Sequence, residues 1–282
     1  MKKKNYIKKF ILFSVLVLFS TPQLTYSQVK TYTTKKFKPP IVTVEVLFSY
    51  AQPLPNLYSD MAHFFQFTGY GVKYGLGSQI NVKLSADKKG TLKPYLSLGY
   101  SLFMGKDNGT AYIDSNIIKN GYPLPGSLQF NSTGGTSKMF INDFLVGAGF
   151  EYDFVNKTKW TPYLGADLDM NVLFGTYRQD PNQTVGNNTV GEVSYTIKQA
   201  VRFGFGVGGG INFRISPAFG FAFSTKYKFA NLLGKSSSTV YEENKMGLLD
   251  KSSLDLNSML SKSRNIDYLE FMIGAAFYIG RK

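Results

Sequence analysis

The chain has 282 residues, a formal net charge of +14, a single histidine and no cysteine. The lack of cysteine excludes a disulfide framework, a thiolate metal site and a cysteine-linked lipid anchor. A chain of this length can form one large all-β domain or two small domains.

The first residues predict export. Five of the first nine residues are lysines, and the segment 10–19 is almost wholly apolar, which is the pattern of a signal peptide. Thr25-Tyr26-Ser27 places small residues before an expected cleavage site at Gln28, and the apolar run is too short to span about 30 Å of hydrocarbon as a helix. We expect a cleaved signal peptide over 1–27, a periplasmic tail over 28–40 and a folded domain over 41–282. Export also separates the basic chain from nucleic acid, so no nucleic-acid partner is expected.

Strict alternation of apolar and polar residues dominates the rest of the chain and predicts β-strands. No stretch after the signal has the roughly 20 consecutive apolar residues that a membrane-spanning helix needs. Eight alternating segments are expected to be strands, approximately over 41–50, 69–85, 92–104, 139–155, 162–177, 198–215, 219–230 and 266–280.

The composition of the two faces favours a membrane barrel over a soluble sandwich. In the segment 162–177, Leu164, Leu168 and Phe174 alternate with Asp167 and Asp169. Bulky apolar side chains on one face, with glycine and charge on the other, suit a lipid-facing wall around a polar lumen. The segments also reach the roughly 9 to 11 residues that a tilted transmembrane strand needs.

The connections alternate in length, as transmembrane barrels require. Short turns are expected over 86–91, 156–161 and 216–218, and long loops over 51–68, 105–138, 178–197 and 231–265. With a periplasmic N-terminus, every short turn falls in the periplasm and every long loop outside. Ten strands would result if the loop 105–138 contained a hairpin.

Two strands open alike after a short turn, with Lys93-Pro94-Tyr95-Leu96 and Thr161-Pro162-Tyr163-Leu164. Together with the signal peptide and the eight segments, this resembles the small outer-membrane β-barrels of the OmpA, OmpX and OmpW type, in a Bacteroidota-like version without a peptidoglycan-binding domain. The resemblance implies an all-β, antiparallel up-and-down barrel that crosses the cell outer membrane repeatedly. It also implies contact with outer-membrane lipid and lipopolysaccharide.

The period of two assigns an inward set of charged side chains. The acids of this set are Glu45, Asp143, Glu151, Asp153, Asp167, Asp169 and Glu270. The bases are Lys73, Lys83, Arg202, Arg214, Lys226 and Lys228. Because an eight-stranded barrel is only wide enough for side chains to fill, and unpaired buried charge is costly, we predict a salt-bridged, plugged lumen. A slightly wider barrel would instead hold a narrow path for ions or small solutes.

Three motifs suggest other chemistry. The segment 204–209 has the G-x-G-x-x-G spacing of a dinucleotide site, but the strand alternation continues through it, so no helix follows to hold a pyrophosphate. His63 lies near Ser59 and Asp60, which leaves a lipid-modifying enzyme as a third hypothesis. Asp167 and Asp169 could be a catalytic carboxylate pair, but they face a basic sector and ion pairing is the favoured role. We expect no catalytic residue, no cofactor and no metal.

The loops 105–138 and 231–265 contain many apolar residues, including Met246 and Leu248 in the latter. Such loops either bind a protein or glycan ligand or pack on each other as a cap over the barrel. The leading hypothesis is therefore a non-catalytic outer-membrane barrel with a structural or interaction role.

Overall fold

The computed structural model of the chain describes residues 37–58, 70–105, 136–154, 158–180, 184–185, 188–189, 192–236, 245–248, 250–251 and 263–280. Eight long strands lie within these ranges: β1 (Val42–Pro53), β2 (Val72–Leu84), β3 (Leu92–Gly105), β4 (Thr136–Asp153), β5 (Trp160–Asp180), β6 (Val193–Arg214), β7 (Phe219–Leu233) and β8 (Asp267–Ile279). A two-residue strand, Lys245–Met246, pairs in parallel with β6, and Thr184–Val185 pairs with Asn188–Thr189. No helix in the described part of the chain is long and apolar enough to cross a membrane.

The eight strands close into a barrel. Each strand pairs antiparallel with its neighbours in the chain, and β8 pairs with β1 along its whole length. Directly paired residues followed around the sheet from Thr43 lead back to Pro53 in the same strand, a stagger of ten residues (53 minus 43). Closure with a stagger requires tilted strands, typically at about 35–45° to the barrel axis. The predicted eight-stranded, antiparallel up-and-down barrel is confirmed.

The outer face of the wall is apolar and the inner face is charged, which is the reverse of the arrangement in a soluble protein. Phe48, Leu96 and Leu168 point outward and are 67%, 66% and 73% exposed, whereas Lys83 and Asp153 point inward and are 2% and 0% exposed. Alternate strand residues face opposite sides, so the sequence pattern produces both faces at once. An apolar outer wall around a charged interior is the arrangement of a barrel that spans lipid.

Aromatic side chains line both edges of the apolar wall. At the end with the short turns, the rings of Trp160 and Phe213 pack with centroids 4.3 Å apart. Toward the other end, Tyr50 and Tyr74 stack at 6.4 Å. Rings with one apolar and one wet side concentrate at the two surfaces of a bilayer, so these residues bound the height of the apolar band.

The short-turn end is the one at which β2–β3, β4–β5 and β6–β7 are joined, over 85–91, 154–159 and 215–218. In the first turn the carboxylate of Asp87 accepts hydrogen bonds from the amides of Lys89, Thr91 and Leu92 and from the Thr91 hydroxyl, at 2.7–3.2 Å. Partial burial raises the pKa of Asp87, but the hydrogen bonds from Leu92 and Thr91 outweigh it and hold this pKa at about 2. The carboxylate therefore stabilises the turn most strongly when it is charged.

Replacing Asp87 with asparagine is expected to lower the free energy of unfolding by about 1 kcal/mol at pH 5, because hydrogen bonds to the charged group are lost. The folded pKa lies below the unfolded value of about 3.9, so the stabilisation is present above pH 4 and disappears as the pH falls toward 2. The difference between wild type and Asp87→Asn, measured by denaturant unfolding across this range, should shrink. A constant difference would contradict the role of the charge.

At the opposite, long-loop end, five strands extend at least three residues further than predicted, and two of them are β1, which ends at Pro53 instead of 50, and β7, which ends at Leu233 instead of 230. Strand β4 begins at Thr136 instead of 139, β5 continues to Asp180 instead of 177, and β6 begins at Val193 instead of 198. In this extension the polarity of the two faces is inverted. Tyr177 and Tyr195 point inward and are buried, while Lys198 points outward and is exposed. The predicted long loop over 178–197 is therefore wrong, since much of it is strand whose outer face is polar.

Candidate functional site

The inward charges lie in layers along the lumen. The short-turn layer consists of Lys83, Glu45, Glu151, Lys93 and Asp153. Lys83 Nζ lies 2.5 Å from Glu45 and also pairs with Glu151, while Lys93 Nζ lies 2.5 Å from Asp153 and 3.8 Å from Glu151. Two lysines, from β2 and β3, thus pair with three carboxylates from β1 and β4, which ties four neighbouring strands together.

The middle layer consists of Lys226, Lys228, Asp167, Asp169 and Tyr95. Asp167 pairs with Lys226, accepts a hydrogen bond from the Tyr95 hydroxyl at 2.6 Å, and lies 3.8 Å from Lys228. Lys228 is 3.0 Å from Asp169. Both aspartates are therefore paired with lysines of β7, which agrees with the favoured ion-pairing hypothesis.

Glycine makes room for this layer. A Cβ at Gly206 would clash with a carboxylate oxygen of Asp167, and one at Gly147 would clash with Asp169. Both glycines face the lumen in the two strands that flank β5, so the missing side chains provide the space that the carboxylates of β5 fill. Any larger residue at either position would force the ion pairs apart.

Two further inward acids form no ion pair with another described residue. Asp143 and Glu270 are 1% and 3% exposed, and no ion pair between described residues includes either. The Tyr268 hydroxyl donates to Asp143 at 3.3 Å, and the strand register sets Glu270 opposite Lys226, whose ammonium is turned to Asp167. A buried carboxylate without an ion-pair partner is costly to desolvate, so this level of the lumen is less well compensated than the short-turn and middle layers.

Arg214 closes the short-turn opening together with the end of the predicted tail. Its Nη1 donates to the carbonyl of Lys38 at 3.1 Å, and its guanidinium lies 4.1 Å from the ring of Tyr278 and 5.5 Å from that of Phe37. Phe37 is only 6% exposed. The part of the tail that the structure describes therefore lies against the barrel opening.

Of the thirteen side chains predicted to line the lumen, twelve point inward and are at most 6% exposed. Lys73 does not: it is exposed on the outer surface, which corrects its assignment. A β-bulge between Val72 and Tyr74 shifts the register and turns Lys73 outward. Lys93, which the strand pattern could have identified, takes its place, so the inward charges of the described barrel strands are still seven acids and six bases.

Almost no space remains between the short-turn and middle layers. The cavity lined by residues such as Lys83, Tyr163 and Lys226 has a volume of about 10 Å³. A single water needs roughly 10–15 Å³. At this height the lumen is filled by side chains.

The long-loop end is closed by an apolar group, the mouth cluster. It combines inward strand residues with residues of two loops, and includes Leu57, Tyr70, Phe103, Met139, Ile141, Leu173, Tyr177, Tyr195, Ile197, Met246, Leu248, Ile266 and Tyr268. Met246 and Leu248 are 1% and 4% exposed. For these two residues the cap is the observed arrangement; the other apolar loop residues, and the loop 106–135, lie outside the described residues.

Beside the mouth cluster, Asp250 and Arg264 are fully buried. Asp250 pairs with Arg202 at 2.7 Å, and the Arg264 guanidinium lies 4.2 Å from the centroid of the Tyr70 ring. Burial lowers the pKa of Arg264, which Tyr70 and Asp250 partly offset. The period of two could not identify either residue, because neither belongs to a barrel strand.

The other candidate motifs fall differently. Ser59, Asp60 and His63 lie outside the described residues. The glycine motif 204–209 lies within β6, where the strand continues to Arg214, so it has no helix N-terminus at which to hold a phosphate. Among the described side chains, no group of three acids or histidines is placed to hold a metal ion.

No protein-family model and no curated protein matches the chain. Among solved structures, the barrel is similar to a major outer membrane protein from Thermus thermophilus (TM-score 0.45, 11% identity, 84% of this chain and 98% of that one). It is also similar to neisserial surface protein A (0.40, 14%, 84% and 97%) and to the attachment invasion locus protein Ail of Yersinia pestis (0.37, 9%, 85% and 98%). At these identities the similarity concerns the fold, which rests on the strand pairing above.

Proposed function

We propose that the protein is an integral outer-membrane β-barrel with a closed lumen and no catalytic role, which acts through its outer, long-loop end. The filled interior carries this proposal: the short-turn and middle layers leave a cavity of about 10 Å³ between them. The apolar outer wall and its aromatic edges support a position in lipid. The signal-peptide pattern supports export.

The proposed orientation places the short-turn end in the periplasm. Short periplasmic turns and longer external loops are the rule for such barrels, and residues 37–40 then lie at the periplasmic opening. The extension of β4, β5 and β6 past the apolar band would project a three-stranded sheet into the external space.

The exposed charges at the long-loop end are mostly basic. Lys73, Lys138, Lys198 and Lys245 are exposed there in the described part of the chain, as is Arg178, which lies 3.9 Å from Glu192. Basic side chains at a membrane surface attract anionic headgroups. We include lipopolysaccharide, through its acidic groups, and an external glycan or protein ligand as the partners of this end.

Planar-bilayer recordings test the closed lumen. We expect the refolded protein to give no steady current, because ions would have to displace paired, buried side chains. Asp167→Ala and Lys226→Ala should remain closed apart from sporadic openings, and Lys73→Ala, which changes an exposed lysine, serves as the control. A steady current that both lumen variants alter and the control does not would contradict the proposal and establish a channel for ions or small solutes.

A further inference from the structure

The carboxylate of Asp250 is held by four hydrogen bonds from three residues of another part of the chain. Arg202 donates from Nε and Nη2 at 2.7 and 3.0 Å, Asn231 from Nδ2 at 3.2 Å, and the Ser236 amide at 3.0 Å. We call Arg202, Asn231 and Ser236 the anion cradle. A two-pronged guanidinium contact matches the geometry of a carboxylate and is among the strongest hydrogen-bonded pairs.

The cradle is oriented by contacts that do not involve Asp250. Arg202 Nη1 donates to the carbonyl of Val201 at 2.8 Å, and Nη2 donates to the Ser236 hydroxyl at 3.1 Å. The side-chain oxygen of Asn231 accepts the Ile266 amide at 2.7 Å. The donors would therefore stay in place if the carboxylate of Asp250 were withdrawn, which is the property of a preorganised binding site.

The residues that precede Asp250 occupy the mouth cluster. Met246 and Leu248 are buried there beside Phe103 and Tyr268. The described residues of this segment, 245–248 and 250–251, thus present one carboxylate and a short apolar stretch to the barrel. The paired side chains of the middle layer lie below this apolar group, so we call the anion cradle and the mouth cluster together the cup.

We infer that this cup is a binding site for an amphiphilic carboxylate, which the chain keeps occupied with its own Asp250. A ligand with a carboxylate on an aliphatic body would place its head in the anion cradle and its body where Met246 and Leu248 now pack. Binding requires the segment that carries these residues to withdraw. The site adds ligand recognition to the proposed interaction role without opening the lumen.

The tethered carboxylate of Asp250 determines how tightly the wild-type site binds an external carboxylate. An intramolecular group competes with an effective concentration of about the millimolar range, so the wild-type site should bind such a ligand weakly. Removing the side chain of Asp250 leaves Arg202 as a buried cation that gains most from an external anion.

The test uses octanoate as the probe and octanol as its neutral match, with calorimetry of the protein in lipid nanodiscs against empty nanodiscs. We expect Asp250→Ala to bind octanoate at least tenfold more tightly than the wild type does and more tightly than it binds octanol. Adding Arg202→Met should abolish the preference for octanoate over octanol. Equal octanoate affinities in wild type and Asp250→Ala, or a preference that survives Arg202→Met, would overturn the inference.

A measurement on the wild type covers the case in which Asp250→Ala does not fold. Saturating octanoate, but not octanol, should accelerate hydrogen exchange of the amides of Lys245–Leu248, because the ligand displaces this segment. Unchanged exchange with octanoate would equally overturn the inference.

Discussion

Lys83→Ala is expected to lower the free energy of unfolding by about 3–5 kcal/mol, the cost of removing one partner from a buried charge pair. Lys83 is 2% exposed and is the ammonium shared by Glu45 and Glu151. Among the described residues, its loss leaves Glu45 with only the side-chain amide of Asn81, which donates at 3.1 Å. Water that entered the space vacated by the lysine would carry no positive charge to balance Glu45 and Glu151.

Lys73→Ala is the matched control, because it changes the same residue type in the same strand at an exposed position. Its expected effect lies within about 0.5 kcal/mol. Reversible urea unfolding from lipid vesicles measures both variants. If Lys83→Ala cost no more than Lys73→Ala, the short-turn layer would have to be wet, and the closed lumen would be wrong.

Leu168→Arg is expected to cost about 2–4 kcal/mol when the barrel lies in a bilayer, the penalty for arginine at mid-height on the lipid face. Leu168 is 73% exposed near the middle of the apolar wall. In a water-soluble barrel the same change would be close to neutral, since it would remove an exposed apolar side chain. The variant therefore measures which solvent the outer wall faces.

Ile279→Arg provides the comparison for this measurement. Ile279 also points outward, at 56% exposure, but it ends β8 at the short-turn edge. There arginine reaches the headgroups and the expected cost is about 0–1 kcal/mol. Equal costs at the two positions would show that the wall has no gradient of depth, which contradicts a membrane-spanning barrel.

The sequence predicted the strands correctly inside the apolar band, where the alternation of apolar and polar residues is the same throughout. Inside the apolar band every outward residue meets lipid and every inward residue meets the lumen, so the period of two located all eight strands. Above the band the environments change: Tyr195 is buried against the mouth cluster while its neighbour Thr196 is exposed. A rule that seeks outward apolar residues stops at that height, which is why β6 was predicted to begin at 198.

The lumen-facing residues were predictable by the same rule, and the prediction failed at Lys73 for a local reason. A bulge inserts an irregularity that no alternation shows, and it inverts the face of the residues beyond it. The partners of Arg202 were out of reach for a different reason. Asp250 is distant in sequence and lies in no strand, so only the tertiary structure brings its carboxylate to the anion cradle.

The pairing of β1 with β8 bears on how the protein is assembled. Val42 lies opposite Ile279, so the last strand must be available before the first can satisfy its outer edge. Until then the two edge strands expose rows of unpaired amides and carbonyls, each costing several kcal/mol in hydrocarbon. An open sheet is therefore unfavourable in the bilayer, and the barrel can close only when the last strand has been synthesised.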